Sequence, residues 1–371
     1  MFKTALQIGR IRGVPIRLHF TLVLVIPYLG YELARGARSV AAQAEIPLTA
    51  SSSVLMLWGL LLSVAIFASI LVHELSHVIV AQRSGGHVRS VTLMLLGGVS
   101  EIERMPPGGP EARMAIVGPL ASIWLGLLAF LSFFWTEGAA PLVRLFLYYL
   151  ALTNLIIGAF NLLPAFPLDG GRVLRALLRR RLGQAKATAV AAGISKIVAI
   201  LMLIAGLMLK DIVLSLIAFF LFVAGDAEAR ETIVREALRG MRVGDLAFRK
   251  VPVLSSLDTV DEARMALARS GAPAIAVVDQ EGAPTALTLF EISRACSSGS
   301  AGPATPLRLL GGRACETVGE DDDIESALDV MNRSAGEVLL VRGDEGPTGI
   351  LRRDDIARAV QLSALFRMSS R

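Results

Sequence analysis

Between residues 18 and 226 the chain is built mostly of long apolar runs, among them LWGLLLSVAIFASILV and LIAFFLFVAG. These runs restrict its fold more than any other feature. A helix that crosses a bilayer needs about 20 apolar residues, and the stretches near 18–34, 54–82, 114–135, 142–163, 188–209 and 212–226 approach that length. Six spans are expected, the fifth interrupted by Lys196 and the sixth short. From Arg230 onward charged and apolar residues mix as in a water-facing domain. The averages follow from this division: 54% of the 371 residues are hydrophobic and 19% charged, against about 45–50% and about 25% in ordinary soluble chains. A wholly soluble enzyme and a disordered chain are both excluded. The organisation expected is a membrane-embedded domain over 1–228, a linker over 229–240, and two further units over 241–300 and 301–371.

The net charge of +5 and pI near 9.5 do not indicate nucleic acid. The bases sit in short clusters beside apolar runs, as in RRRL at 179–182, which is how cytoplasmic membrane flanks are marked. With alternating spans, the N-terminal tail, 83–113, 172–181 and the tail after 230 fall on one side, expected to be the cytoplasm. Lys3, Arg10, Arg12 and Arg17 precede the first run without a convincing cleavage site, so a retained helix is expected there. Cys296 and Cys315, the only cysteines, read as free thiols. Between the second and third runs, GGHVRSVTLMLLGGVSEIERMPPGG is too broken for a helix. It reads as a short β-hairpin or re-entrant loop at the membrane surface.

His73-Glu74-Leu75-Ser76-His77 lies inside the second run. Residues four apart share a helix face, so both imidazoles can hold one Zn²⁺ while Glu74 takes a proton from a water that the metal acidifies. A chance HExxH is common on soluble helices, but ionisable groups inside a membrane are costly and mark function. A catalytic zinc takes a third protein ligand, and Asp169, in Asn161-Leu-Leu-Pro-Ala-Phe-Pro-Leu-Asp-Gly-Gly, is the best-placed acid. His77 lies six residues before Arg83, about 9 Å along a helix, and His73 ten before it, about 15 Å. Asp169 lies three before Arg172, so acid and histidines approach from the same side. Pro164 and Pro167 unwind the backbone just ahead of it. The alternative is a helix-ending turn with a capping Asp.

The two motifs together, in this order and in separate spans, resemble the site-2 protease family of intramembrane zinc metalloproteases, peptidase family M50, over residues 10–225. The resemblance implies His73, His77 and Asp169 as zinc ligands, Glu74 as general base, and Asn161 lining the site against the substrate strand. Gly97 and Gly98 fit the family's surface hairpin, and Gly118 and Pro119 its third span. Pairing of an unwound substrate segment with an edge of the 88–103 hairpin is expected. The substrates implied are single-span membrane regulators such as anti-sigma factors or transcription factor precursors.

From Met241 the chain repeats at an offset of 64: Ala263 matches Ala327, Val277 matches Val341, Gly282 matches Gly346 and Ile292 matches Ile356. Each unit reads as helix, strand, turn, strand, helix, two units burying a common face. The pair resembles tandem CBS domains over 241–362, which implies ATP or AMP between the repeats or a homodimer without ligand. That family's nucleotide signature is Thr or Ser three residues ahead of Asp. Thr288 and Glu291 approximate it, and Arg352 and Asp355 depart from it, with Arg for the hydroxyl. The fold expected is therefore a multi-pass α-helical membrane protein of about six spans, with a short β-hairpin or re-entrant loop, followed by an α/β tandem CBS pair. N-terminus and CBS pair lie on the cytoplasmic side, with the bilayer and membrane proteins as partners and no nucleic acid. A CBS-regulated transporter and a catalytically inactive binding protein remain open; the first leaves the HExxH geometry unexplained, and the second leaves Glu74 without a task.

Overall fold

A computed structural model describes residues 5–95, 97–104, 111–278, 284–310, 313–334, 336–343 and 346–369; Gly282 of the repeat lies outside them. The chain divides into two compact units, 1–230 and 231–371.

The first unit opens with strands β1 (Ala5–Ile11) and β2 (Val14–His19), then helices α1 (Leu22–Gln43) and α2 (Ser52–Arg83). Strands β3 (His87–Met94) and β4 (Gly97–Arg104) form the expected hairpin. The N-terminal tail adds to it: β2 pairs parallel to β3, giving one sheet in the order β1-β2-β3-β4. Helices α3 (Glu111–Trp135), α4 (Pro141–Asn161), α5 (Asp169–Leu182), α6 (Gln184–Met208) and α7 (Ile212–Leu238) follow.

Among the described residues, α2, α3, α4, α6 and α7 are long and apolar enough to cross a membrane. The first expected span, near 18–34, divides into the end of β2 and the helix α1, which carries Glu32, Arg35 and Arg38 from its middle onward. The amphipathic α5, with five arginines in 14 residues, was not anticipated as a separate helix. Large apolar side chains point outward on the spans, including Trp124, Phe134, Leu201 and Phe219, as expected where the solvent is lipid. In lipid the spans associate by close packing of small residues rather than by hydrophobic expulsion. Ala37 and Ala41 of α1 are accordingly fully covered, and Gly30 of α1 meets the backbone of Gly59 and Leu60 in α2. The most enclosed span is α2, so anything on its inner face is shielded. Lys196, which interrupts the apolar run of α6, pairs with Asp226 of α7 at 2.7 Å.

The expected linker 229–240 is helical as far as Leu238, which is buried in the core of the second unit with Val243, Ile324 and Leu351. After α8 (Val243–Leu246) the first repeat has β5 (Phe248–Arg249), β6 (Val253–Ser255), α9 (Val260–Ser270), β7 (Ala274–Val278), β8 (Thr285–Thr288) and α10 (Leu289–Ser297). The second has β9 (Arg313–Ala314), β10 (Thr317–Gly319), α11 (Ile324–Ser334), β11 (Val338–Gly343), β12 (Gly346–Arg352) and α12 (Arg353–Ser369). The offset of 64 holds for α9 and α11. Two four-stranded sheets result, ordered β6-β7-β8-β9 and β10-β11-β12-β5. Each takes its fourth strand from the segment that opens the other repeat, so the boundary drawn at 300 is interlocked. Ala274, Ala276 and Ala286 of one sheet share a core with Leu340 and Ile350 of the other.

Candidate metal centre

Two elements bring the membrane unit's ionisable side chains together. On α2, His73 and His77 are one turn apart on the buried inner face, their rings 4.9 Å apart. The third partner arrives after α4 ends at Asn161, where Pro164 and Pro167 prevent continuation, and the chain turns through 162–168 into α5. Asp169 is the first residue of α5, neither a free loop residue nor the cap that closes α4. Gly170 and Gly171 lie against the backbone of 162–166, with no room for a Cβ at either. That close approach explains the two glycines after the acid.

Asp169 Oδ2 lies 3.2 Å from His73 Nε2 and 3.2 Å from His77 Nε2. Both imidazoles have their other nitrogen engaged: His77 Nδ1 donates to the Met114 carbonyl at 2.7 Å, and His73 Nδ1 contacts Ser122 Oγ at 2.9 Å. Since a carbonyl only accepts, Nδ1 of His77 carries a proton, which leaves Nε2 as the nitrogen able to offer a lone pair to a metal ion beside the Asp169 oxygen. The spacing fits zinc, because bonds of about 2.0–2.2 Å in a tetrahedron place neighbouring ligand atoms roughly 3.4 Å apart. The Nδ1 contacts to Met114 and Ser122 are the outer partners that fix ring orientation at such sites. On α3, Gly118 passes beside the imidazoles: a Cβ there would collide with His77 Nε2 and come within 2.7 Å of His73 Nε2.

Glu74 follows His73 on α2, half-buried, and its Oε2 accepts a hydrogen bond from Ser100 Oγ of β4 at 2.7 Å. Asn161 instead donates its side-chain amide to the Ile157 carbonyl one turn back at 2.9 Å. The acid-bearing α5 is braced by its arginines. Arg175, buried beside the Phe166 ring, pairs with Glu111 at the start of α3, and Arg172 pairs with Glu228 of α7 at 3.0 Å.

In the second unit, Thr288 and Glu291 form a capping box at the start of α10. Thr288 N donates to Glu291 Oε2 at 2.8 Å, and Thr288 Oγ1 accepts from Glu291 N at 3.2 Å. Arg352 and Asp355 take the same places before α12. Arg352 N donates to Asp355 Oδ2 at 3.1 Å and the guanidinium pairs with the same carboxylate at 3.0 Å. That pairing holds the Arg352 guanidinium above its ordinary pKa.

Ser122, Ser100 and the Arg175–Glu111 pair were not singled out in the sequence. Signals existed for two of them: Ser122 is four residues after Gly118 on one helix face, and Ser100 is two after Gly98 on one strand face. Nothing short of the fold links Arg175 to Glu111.

Comparison with known proteins finds matches to both units of the chain. The family model for peptidase family M50 matches residues 61–141 and 136–205, and the CBS domain model matches 313–362. The chain is 32% identical over 246 residues to the zinc metalloprotease MJ0392 of Methanocaldococcus jannaschii, spanning 65% of this chain and 66% of that one. It is 32% identical over 264 residues to Rip3 of Mycobacterium tuberculosis, spanning 66% of this chain and 63% of that one. The alignments thus cover just under two thirds of these relatives. Among solved structures, the site-2 protease from Methanocaldococcus jannaschii is 33% identical, with 61% of this chain and 95% of that chain covered and a TM-score of 0.42.

Proposed function

Because the chain belongs to peptidase family M50, with zinc metalloproteases among its relatives and a C-terminal CBS domain pair, we propose that it is an intramembrane zinc metalloendopeptidase. It cuts membrane-bound regulatory proteins near the cytoplasmic face, under control of its CBS pair. The observation that carries this reading is the convergence of His73 Nε2, His77 Nε2 and Asp169 Oδ2 on one point, with Glu74 beside them on α2.

In this proposal His73, His77 and Asp169 hold the zinc. When bound there, the ion acidifies the attacking water and polarises the scissile carbonyl. Glu74 takes the proton from the attacking water and delivers it to the leaving nitrogen as the C–N bond breaks, so one water is consumed per bond cut. Asn161, at the mouth of the turn into α5, receives the substrate backbone. The substrate helix must unwind, since its amides are otherwise paired, and β4 at the sheet edge offers its backbone to the unwound segment. The basic clusters at 172–181 and after 230 support placing the site toward the cytoplasmic face. Adenine nucleotide, ATP or AMP, is the ligand proposed for the CBS pair, with Thr288, Glu291, Arg352 and Asp355 as the residues nearest it. Single-span membrane regulators are the proposed substrates.

Glu74→Gln tests the reading. Metal analysis is expected to find zinc retained, while comparative proteomics of membrane fragments shows the cleavage products gone, a loss of about 10²–10⁴-fold for a general base. Undiminished cleavage by the variant would return the transporter and binding-protein readings.

A further inference from the structure

The hairpin does more at this site than present an edge. Gly98 and Ser100 are alternate residues of β4, so both face the same way, and that face meets Glu74. Ser100 Oγ donates to Glu74 Oε2 at 2.7 Å. At Gly98 an added Cβ would come within 2.8 Å of Glu74 Cδ and 3.0 Å of Oε1. The carboxylate therefore lies in the space left by the missing side chain and is tied down by the next residue on that face. On its inner edge β4 pairs with β3, Leu93 opposite Gly98 and Val91 opposite Ser100; its outer edge is the boundary of the four-stranded sheet.

We propose that Ser100 is the positioning residue for Glu74, fixing the general base to the strand on which the substrate lies. The inference rests on the protease reading. A glutamate side chain has three rotatable bonds, and α2 fixes only its root. The metal ligands are set from α2 and α5, whereas the peptide to be cut is set by β4. Without a tether between Glu74 and β4, the base and the scissile bond are located by different elements, and small displacements between reacting groups cost large factors in rate. A hydroxyl donating to an ionised carboxylate is among the stronger neutral-to-charged hydrogen bonds, and it leaves the second carboxylate oxygen for the water. Ser100 touches neither metal nor scissile bond in this scheme; it acts through Glu74.

The test uses the full chain reconstituted in phosphatidylethanolamine and phosphatidylglycerol vesicles, with an end-labelled single-span reporter helix carrying a Gly-Pro break as substrate. Ser100→Ala is expected to lower kcat by about 10- to 100-fold with KM within about twofold and zinc content unchanged, and Ser100→Thr, which keeps the hydroxyl, to recover most of the rate. A kcat for Ser100→Ala within about twofold of the parent, or a loss confined to KM, overturns the proposal. A second measurement needs no substrate. Ser100→Ala is expected to lower the thermal midpoint when Glu74 is present and to lower it by less than half as much in a Glu74→Leu background; equal shifts in both overturn the tether. Cleavage of the reporter by Glu74→Gln at the parent rate would instead defeat the protease reading, while the stability comparison still decides the tether.

Discussion

In the membrane unit His73 and His77 turn their Nε2 atoms toward Asp169 Oδ2, with both Nδ1 atoms already engaged by Met114 and Ser122. In the C-terminal unit Thr288 and Glu291, and likewise Arg352 and Asp355, turn toward each other and close the first turn of a helix. Both draw attention by a motif spacing, HExxH in the first and a three-residue interval in the second, which Thr288 and Glu291 approximate and Arg352 and Asp355 depart from. The difference is what remains unspent. At the first site Asp169 Oδ2 and the two Nε2 atoms arrive from separate elements and lie about the edge of a coordination tetrahedron apart, an arrangement able to take a cation. At the second the donors and acceptors satisfy each other within four residues, and the arrangement is complete as it stands. Convergence of ligand-type atoms from separate elements is therefore a stronger sign of a ligand than a matching spacing.

The largest expected effect comes from filling the space between the imidazoles. Gly118→Ala places a methyl against His77 Nε2 and within 2.7 Å of His73 Nε2. Because α3 is buried against α2, the rings must move rather than the helix. Zinc content measured on the purified protein is expected to fall well below one per chain, and cleavage with it. This separates Gly118→Ala from Glu74→Gln, which keeps its zinc. A variant at 118 that binds zinc normally would show that the three acceptors are not a metal site as arranged.

A smaller effect is expected one step farther out. Ser122 is buried and meets His73 Nδ1 at 2.9 Å. Ser122→Ala leaves His73, His77 and Asp169 in place but removes the partner that holds the His73 ring's orientation. Changes of this kind typically cost about 10- to 100-fold in metal affinity. Titration with a chelator should show zinc released at correspondingly lower chelator concentration, with the fold intact by circular dichroism. Unchanged release would mean that packing alone orients His73.

The elements of this contrast differ in how far the sequence discloses them. His73, His77 and Glu74 are legible because a helix of period 3.6 puts four-residue neighbours on one face and an apolar span makes each ionisable group conspicuous. Asp169 is legible through the prolines that must end α4 before it. The four-stranded sheet is less so: β1 and β2 lie before and at the start of the first apolar run, and the pairing of β2 with β3 joins Ile16 to Val91 across a length of chain that no local pattern records. The α1 segment reads as a span because it begins apolar, while Glu32, Arg35 and Arg38 from its middle onward set its character. In the C-terminal unit the repeat offset gave the paired helices and strands, yet the exchange of β5 and β9 between the sheets depends on two-residue strands too short to carry a period. Thr288 and Arg352 illustrate a different limit: the same spacing serves a cap and a ligand motif, and only hydrogen-bond partners tell the uses apart.

The smallest effect expected lies at that cap. Thr288→Ala removes the hydroxyl that accepts from Glu291 N and donates to Glu291 Oε2, a loss of about 1 kcal/mol for an N-cap residue. It should appear in a denaturant midpoint of the C-terminal unit's transition, with zinc content and the membrane unit untouched. Adding AMP makes the measurement discriminating. A ligand bound only by the folded state stabilises it by about 2.7 kcal/mol at a hundredfold excess over its Kd, so if Thr288 also contacts the nucleotide, the variant gains less from AMP than the parent and the gap between them widens. That widening is the expected outcome. A gap of the same size with and without AMP would restrict Thr288 to its cap, and the absence of any AMP-dependent shift in the parent would remove the nucleotide from the C-terminal unit while leaving the metal centre unaffected.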